Sequence, residues 1–159
     1  MTETNSTAIQ KRHIGQWTAL GIPKGQPRPR AFVRGGRAAV YDSGTAEGWK
    51  SAVATACKEL AGRGLHQCLA LSLTFYMPRP KSHYTSKGAL KPASPRFLHC
   101  SKPDADNLAK AVMDALTGIQ VWLDDDQVSE LIVRRQYEQA GSFPPGCVIR
   151  IAELIEVEI

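Results

Sequence analysis

Cysteine is scarce in this 159-residue chain, and the four present, Cys57, Cys68, Cys100 and Cys147, form no CxxC pair. That spacing argues against a zinc site and against a disulfide framework. Unpaired thiols suit a reducing, cytoplasmic compartment. Long apolar runs are missing too, and nothing approaches the ~18 residues that a membrane-spanning helix requires, so no membrane partner is expected. The opening MTETNSTAIQKRH lacks the apolar core of a secretory signal. Residues 1–13 are expected to be a flexible polar tail, leaving 14–159 as a single domain. Acidic side chains are rare in the first 100 residues, four against 15 basic ones, whereas residues 101–159 carry 11 acidic and five basic. A chain that is 43% apolar is not disordered. Its basic front and acidic back suit a protein that holds a polyanion with one part and gathers carboxylates in another.

The element pattern points to an α/β or α+β fold, one small domain with a mixed β-sheet packed by two or three helices. Gln16–Ile22 reads as a short strand. PKGQPRPRAFVRGGR, residues 23–37, is too rich in proline and glycine for a helix and reads as an extended basic loop. Lys24, Arg28, Arg30, Arg34 and Arg37 in it are the candidate contacts to a polyanion. Ala38–Asp42 returns as a strand. Thr45 is a plausible N-cap for a helix to Leu60, with Trp49, Ala52, Val53, Ala56 and Leu60 on one face and Gly62 and Gly64 ending it. Cys68–Met77 alternates strictly and is a half-buried strand. Pro78–Pro103 is a long, basic, proline-rich loop, and loops of that length in a compact domain are commonly functional. Lys102 near its end joins these candidate polyanion contacts. A helix follows from about Asp106 to Thr117, then an acidic turn, then strands over Val128–Tyr137 and Cys147–Ile159.

Lys102-Pro-Asp-Ala-Asp-Asn-Leu-Ala-Lys110 carries the most chemistry. Pro103 disfavours helix at Lys102, so Asp104 and Asp106 fall at the helix entry. Residues two apart in extended chain point the same way, and two carboxylates can converge there. Converging carboxylates repel unless a cation binds them. Mg2+ takes one or two carboxylates together with phosphate oxygens. Asp124-Asp125-Asp126 follows the helix after a short turn and can supply further ligands. Lys110, one turn after Asp106, either forms a surface ion pair or places its ammonium beside the metal, where it would steady charge on a phosphate. Asp114 continues that face in a supporting role. The plainer alternative makes Asp106 an N-cap and Asp124–Asp126 a polar turn. Carboxylates facing a basic half suit metal-assisted phosphodiester hydrolysis.

KPDADNLAKAVMDAL followed by WLDDDQV resembles the RusA-type Holliday junction resolvases, the crossover junction endodeoxyribonucleases. A basic Pro/Arg loop after a first strand, then a helix, and a strand ending in Met-Pro extend the likeness over most of the chain. The resemblance implies a dimeric, Mg2+-dependent nuclease, with Mn2+ as an alternative metal, that cuts four-way or branched DNA by paired symmetric nicks in recombination and repair. Many such enzymes are carried by phages and prophages. The resemblance makes the candidate polyanion contacts, Lys24, Arg28, Arg30, Arg34, Arg37 and Lys102, contacts to DNA. Carried over by position, the metal ligands are Asp104, Asp106 and Asp125, with Asp124 in the same motif, and Lys110 matches the family's important lysine. Asp126 turns the family's acidic pair into a triplet, and much of Pro78–Lys102 has no counterpart in shorter members. Two rival readings stand beside this one. A non-catalytic junction-binding protein would use the carboxylates structurally. A glycosyltransferase would use DxD to hold a nucleotide-sugar, but no nucleotide-binding α/β unit is evident.

Overall fold

The computed structural model describes residues 6–27, 30–41 and 46–159. Six strands and two α-helices occur among them in the order β1 (Thr7–Leu20), β2 (Arg30–Arg34), β3 (Arg37–Tyr41), α1 (Glu47–Ala56), β4 (Leu69–Met77), α2 (Ala105–Gly118), β5 (Val128–Tyr137) and β6 (Gly146–Glu158). The main sheet is mixed and four-stranded, ordered β1-β6-β4-β5, and β2 and β3 make a separate hairpin. This is the expected α+β architecture, with two helices on one sheet.

β4 is the centre of the core. Its odd-numbered residues pair with β6 at Leu71–Ile151, Leu73–Ile149 and Phe75–Cys147, and all six side chains are essentially fully buried. Trp49 and Val53 of α1 and Leu108, Ala111, Val112 and Leu116 of α2 close the same core. An interior of this kind is sensitive to single methylene groups; a leucine-to-alanine change in it costs roughly 2–5 kcal/mol. β4 is buried on more than one face, since Ala70 and Thr74 are also inside. It has neighbours on both edges, which explains why more of it is covered than simple alternation suggests.

β4 and β5 run parallel. A parallel pair needs a crossover connection, and α2 lies in it. That topology carries the chain from the end of β4 through the long 78–103 segment, along α2, and back through the acidic turn into β5. The C-terminal strand β6 does not pair with β5 across their connecting turn. It lies between β1 and β4, so it is a covered strand of this subunit and not an edge.

Three expectations are corrected. The first strand reaches back to Thr7, into the segment read as a loose tail, because Thr7–His13 pair in register with Ala152–Glu158. The basic loop is not extended throughout: Arg30–Arg34 pairs with Arg37–Tyr41. The turn there is Gly35-Gly36, both at positive φ (60° and 74°), the two-residue reversal that glycine makes without strain. The first α-helix ends at Ala56, with a short 3-10 turn over Lys58–Leu60; Thr45, its expected N-cap, lies outside the described residues.

The 78–103 segment is ordered by its own contacts. A 3-10 turn spans Lys81–His83. The Arg79 guanidinium donates to the carbonyls of Pro95 and Arg96 and sits 4.6 Å over the Tyr137 ring. The end of the segment lies along the outer edge of β5, with Tyr137 N donating to Phe97 O at 2.7 Å and His99 N to Arg135 O at 3.3 Å. No helix among the described residues is long and apolar enough to cross a membrane, and all four cysteines are free.

Candidate active site

Asp104 is the N-cap of α2, with extended backbone (φ −70°, ψ 152°), and its carboxylate makes no capping hydrogen bond. The helix therefore begins at Ala105, one residue before Asp106, and the reading of Asp106 as an N-cap does not hold. Asp106 stands in the first helical turn, where the exposed N–H groups of the helix favour negative charge. One turn on, Lys110 Nζ donates to Asp114 Oδ1 at 3.3 Å on the exposed face. Such an exposed i,i+4 pair contributes only a few tenths of a kcal/mol. Its structural effect is to hold the ammonium along the helix surface.

The acidic turn after α2 is built more tightly than an ordinary polar turn. Asp124 is the N-cap of a short 3-10 turn over Asp125–Gln127 and accepts from Asp126 N at 3.4 Å. The Gln127 side chain closes the turn from the other side, its Oε1 accepting from Leu123 N at 2.8 Å and Asp124 N at 3.0 Å. Its Nε2 donates to Leu65 O at 2.8 Å and Gln67 O at 3.1 Å. The turn is thus fastened to the segment after α1, which itself runs alongside residues 119–122 through Gly62 N to Ile119 O, Gly64 N to Gln120 O and Leu65 N to Val121 O. Sequence reasoning singled out the three aspartates but not Gln127. The available signal was the capping-box spacing from Asp124 to Gln127.

The turn and the helix meet over a hollow of about 500 Å3 lined by Asp106, Ala109, Lys110, Met113, Asp125 and Val133 among others. Three of the four expected catalytic residues, Asp106, Lys110 and Asp125, therefore face one space. Asp104 is exposed at the helix entry and is not part of that lining, and Asp124 is occupied as a cap. Among the described residues no three His, Cys, Asp or Glu side chains form a ready-made metal cluster.

The electrostatics of the pair Asp124–Asp125 follow from this crowding. Asp125 is pushed above the usual carboxylate range, first by its hydrogen bond with Asp124, then by partial burial and the charge of Asp124; Lys110 opposes the shift and Asp114 adds to it. Asp124 is held below that range, by the same hydrogen bond and by the Asp126 backbone N–H. The opposite shifts of the two carboxylates are the usual outcome when like charges are brought together. The donors offered here are all hard oxygens in mutual repulsion, and that chemistry fits a hard divalent cation.

The expected DNA contacts are distributed over two segments. Lys24 and Lys102 are exposed and lie close to the start of α2. Arg37 is exposed at the hairpin turn, and Arg30 and Arg34 belong to β2. Arg28 lies outside the described residues. Residues 24–26 dock directly on α2: Gln26 N donates to Asn107 O at 2.9 Å, and a Cβ on Gly25 would stand 3.1 Å from Asn107 Cβ and 3.3 Å from Pro103 Cβ. Only glycine allows this close an approach without displacing the neighbours.

Residues 21–152 match the family model of the endodeoxyribonuclease RusA. The chain is also 32% identical to the uncharacterized protein YqaN of Bacillus subtilis (strain 168) over 126 residues, which cover 78% of this chain and 88% of YqaN.

Proposed function

The chain belongs to the RusA endodeoxyribonuclease family, and from that premise we propose that it is a structure-selective DNA endonuclease that resolves four-way junctions by paired, symmetric nicks, as a homodimer dependent on a divalent metal such as Mg2+. The observation that carries this reading is the meeting of Asp106, Lys110 and Asp125 on one hollow, reached from separate elements. Asp104 adds a carboxylate at the helix entry that capping does not use. Asp104, Asp106 and Asp125 are the residues to hold the cation, with Asp124 beside them. A bound divalent cation supplies Lewis-acid neutralisation of the phosphate and a water of lowered pKa.

The protein's own groups have distinct parts. Lys110, steadied by Asp114, presents a positive charge where the cleaved phosphodiester gains negative charge. The α2 N-terminus adds its partial positive charge to the same region. Gln127 fixes the height of Asp125 over the helix. The basic residues of the 24–37 segment and Lys102 hold the DNA backbone. Two-fold symmetry in the enzyme matches the approximate two-fold symmetry of a four-way junction and gives the two identical sites that paired nicks need.

The test is incubation of the protein with an end-labelled four-way junction and a linear duplex of the same sequence, with Mg2+ and with chelator. Resolution expects two nicked products from the junction only, and only with metal. A non-catalytic junction-binding role, which the dispersed carboxylates favour, expects a retarded junction complex and no product in either condition.

A further inference from the structure

The two basic segments, separate in sequence, converge in the fold. Lys24 of the first and Lys102 of the second line one hollow of about 410 Å3, immediately before Asp104 in the chain. Met77, Pro78 and Tyr137 form its apolar floor, and His99 and Ser101 a polar wall. We propose that this hollow is a subsite for a single nucleotide unit of the DNA strand adjoining the acidic site, with Lys24 and Lys102 holding the phosphate and the floor receiving the base. The proposal rests on the nuclease reading and names which part of the strand binds where.

Charge decides the sign of the ligand. None of the residues lining the hollow is acidic, and no Asp or Glu occurs between Glu59 and Asp104. Among the described residues neither ammonium is engaged in an ion pair. Two unneutralised lysines at one mouth attract a phosphate as point charges. The apolar floor rules out a bare anion as the best ligand, because apolar area gains nothing from a hydrated ion and does gain from a base. The wall offers the base edge a polar pair, Ser101 Oγ and His99 Nε2 at 3.2 Å from each other. Burial and the nearby Arg135 hold the His99 pKa below its usual value, and its Nδ1 is buried without a hydrogen-bond partner among the described residues.

Both sides of the hollow are tied to the frame, so its width is set before DNA arrives. On one side Gly25 and Gln26 are locked to Asn107. On the other, Arg79 clamps the 78–96 segment onto Tyr137, whose ring also meets His99 edge-on at 4.9 Å. A preformed site of this kind avoids the cost of ordering its walls on binding.

The test uses the whole protein in chelator, so that the carboxylates contribute no metal-bridged binding, with deoxynucleoside 5′-monophosphates as the probe and the His99 ring signals as the readout. We expect saturable shifts with a monophosphate, and binding weaker by about tenfold for the corresponding deoxynucleoside and for inorganic phosphate alone. Lys24→Ala/Lys102→Ala should lose at least about tenfold in affinity with the melting temperature unchanged. Ser101→Trp, at an exposed position, should fill the hollow and abolish the nucleotide-specific shifts. Inorganic phosphate binding as tightly as the nucleotide would overturn the base-binding half. Unmoved His99 signals, or a nucleotide affinity indifferent to both variants, would overturn the subsite. Because no cleavage is read, an inactive chain can still pass this test, and an active nuclease can fail it.

Discussion

Gln127→Ala removes one side chain and four hydrogen bonds. The two to Leu65 O and Gln67 O are partly buried; the two from Leu123 N and Asp124 N are near the surface. A net hydrogen bond contributes about 0.5–1.5 kcal/mol, with the lower end where water can replace the partner. Taking about 1 kcal/mol for each buried bond and about 0.5 for each exposed one gives a loss of about 3 kcal/mol. For a chain of this size each kcal/mol moves the melting temperature by about 2–4 °C, so the expected drop is about 6–12 °C. Asp126→Asn, an exposed change one residue away, should stay within about 0.5 kcal/mol of the parent. Gln127→Glu should be at least as harmful as the alanine, because it turns a carboxylate toward two carbonyl oxygens beside three aspartates. The assay is thermal unfolding by circular dichroism, followed by junction cleavage well below the melting point across a Mg2+ titration. Cleavage should fall and the metal requirement rise, since Asp125 loses its fixed height over Lys110. A Gln127→Ala melting temperature within about 2 °C of the parent would refute the energetic reasoning. A large loss of stability with unchanged cleavage and metal requirement would refute the positioning role.

Asp104→Asn, Asp106→Asn and Asp125→Asn keep shape and remove a charged ligand; each should lower junction cleavage by orders of magnitude while band-shift affinity is kept or improved, and near-normal cleavage by either of the first two would sink the assignment. Lys110→Ala should lose single-turnover rate more than affinity, and an equal loss of both would reduce it to a phosphate contact. Arg28→Ala/Arg30→Ala should weaken DNA binding and flatten the salt dependence, since each neutralised phosphate adds about −0.9 to the slope of log K against log salt; an unchanged slope would place the DNA surface elsewhere. Sedimentation without DNA should give a mass near twice 17.4 kDa, and a monomer that makes single nicks would argue against paired resolution.

The parts of the fold visible in the sequence are those whose apolar residues repeat with a local period. β4 alternates, α2 carries an apolar stripe at helical spacing, and β5 is bounded by turn residues, so their limits were readable to within a residue or two. The N-terminal half of β1 has no such signal. Thr7–His13 is mostly exposed, and a polar edge strand shows neither alternation nor an apolar run. What holds it is supplied from far along the chain: the ladder to β6 and the ion pairs Lys11–Glu130 and Arg12–Glu153. No window of neighbouring residues contains those partners. The β2–β3 hairpin is a different case, because Gly35-Gly36 between two short β-prone runs is a local signal that the surrounding prolines and arginines obscured.

The site divides along the same line. Asp106 and Lys110 can be grouped from the sequence because they stand one turn apart on one helix, whereas Asp104, expected to converge with Asp106, does not line the hollow. Asp125 is separable from its neighbours only in the fold. Asp124 is committed to capping, Asp126 stands exposed, and Asp125 alone of the three lines the hollow with Asp106 and Lys110. The turn that carries it is braced by Gln127, which reaches the carbonyls of Leu65 and Gln67, about 60 residues earlier. A triplet of identical aspartates has no internal feature that distinguishes its middle member; the distinction comes with the folded turn. The raised pKa of Asp125 has the same origin, since the turn that presses it against Asp124 also brings it within the fields of Lys110 and Asp114. The brace that orients Asp125 is therefore also the source of the repulsion that a bound cation would relieve.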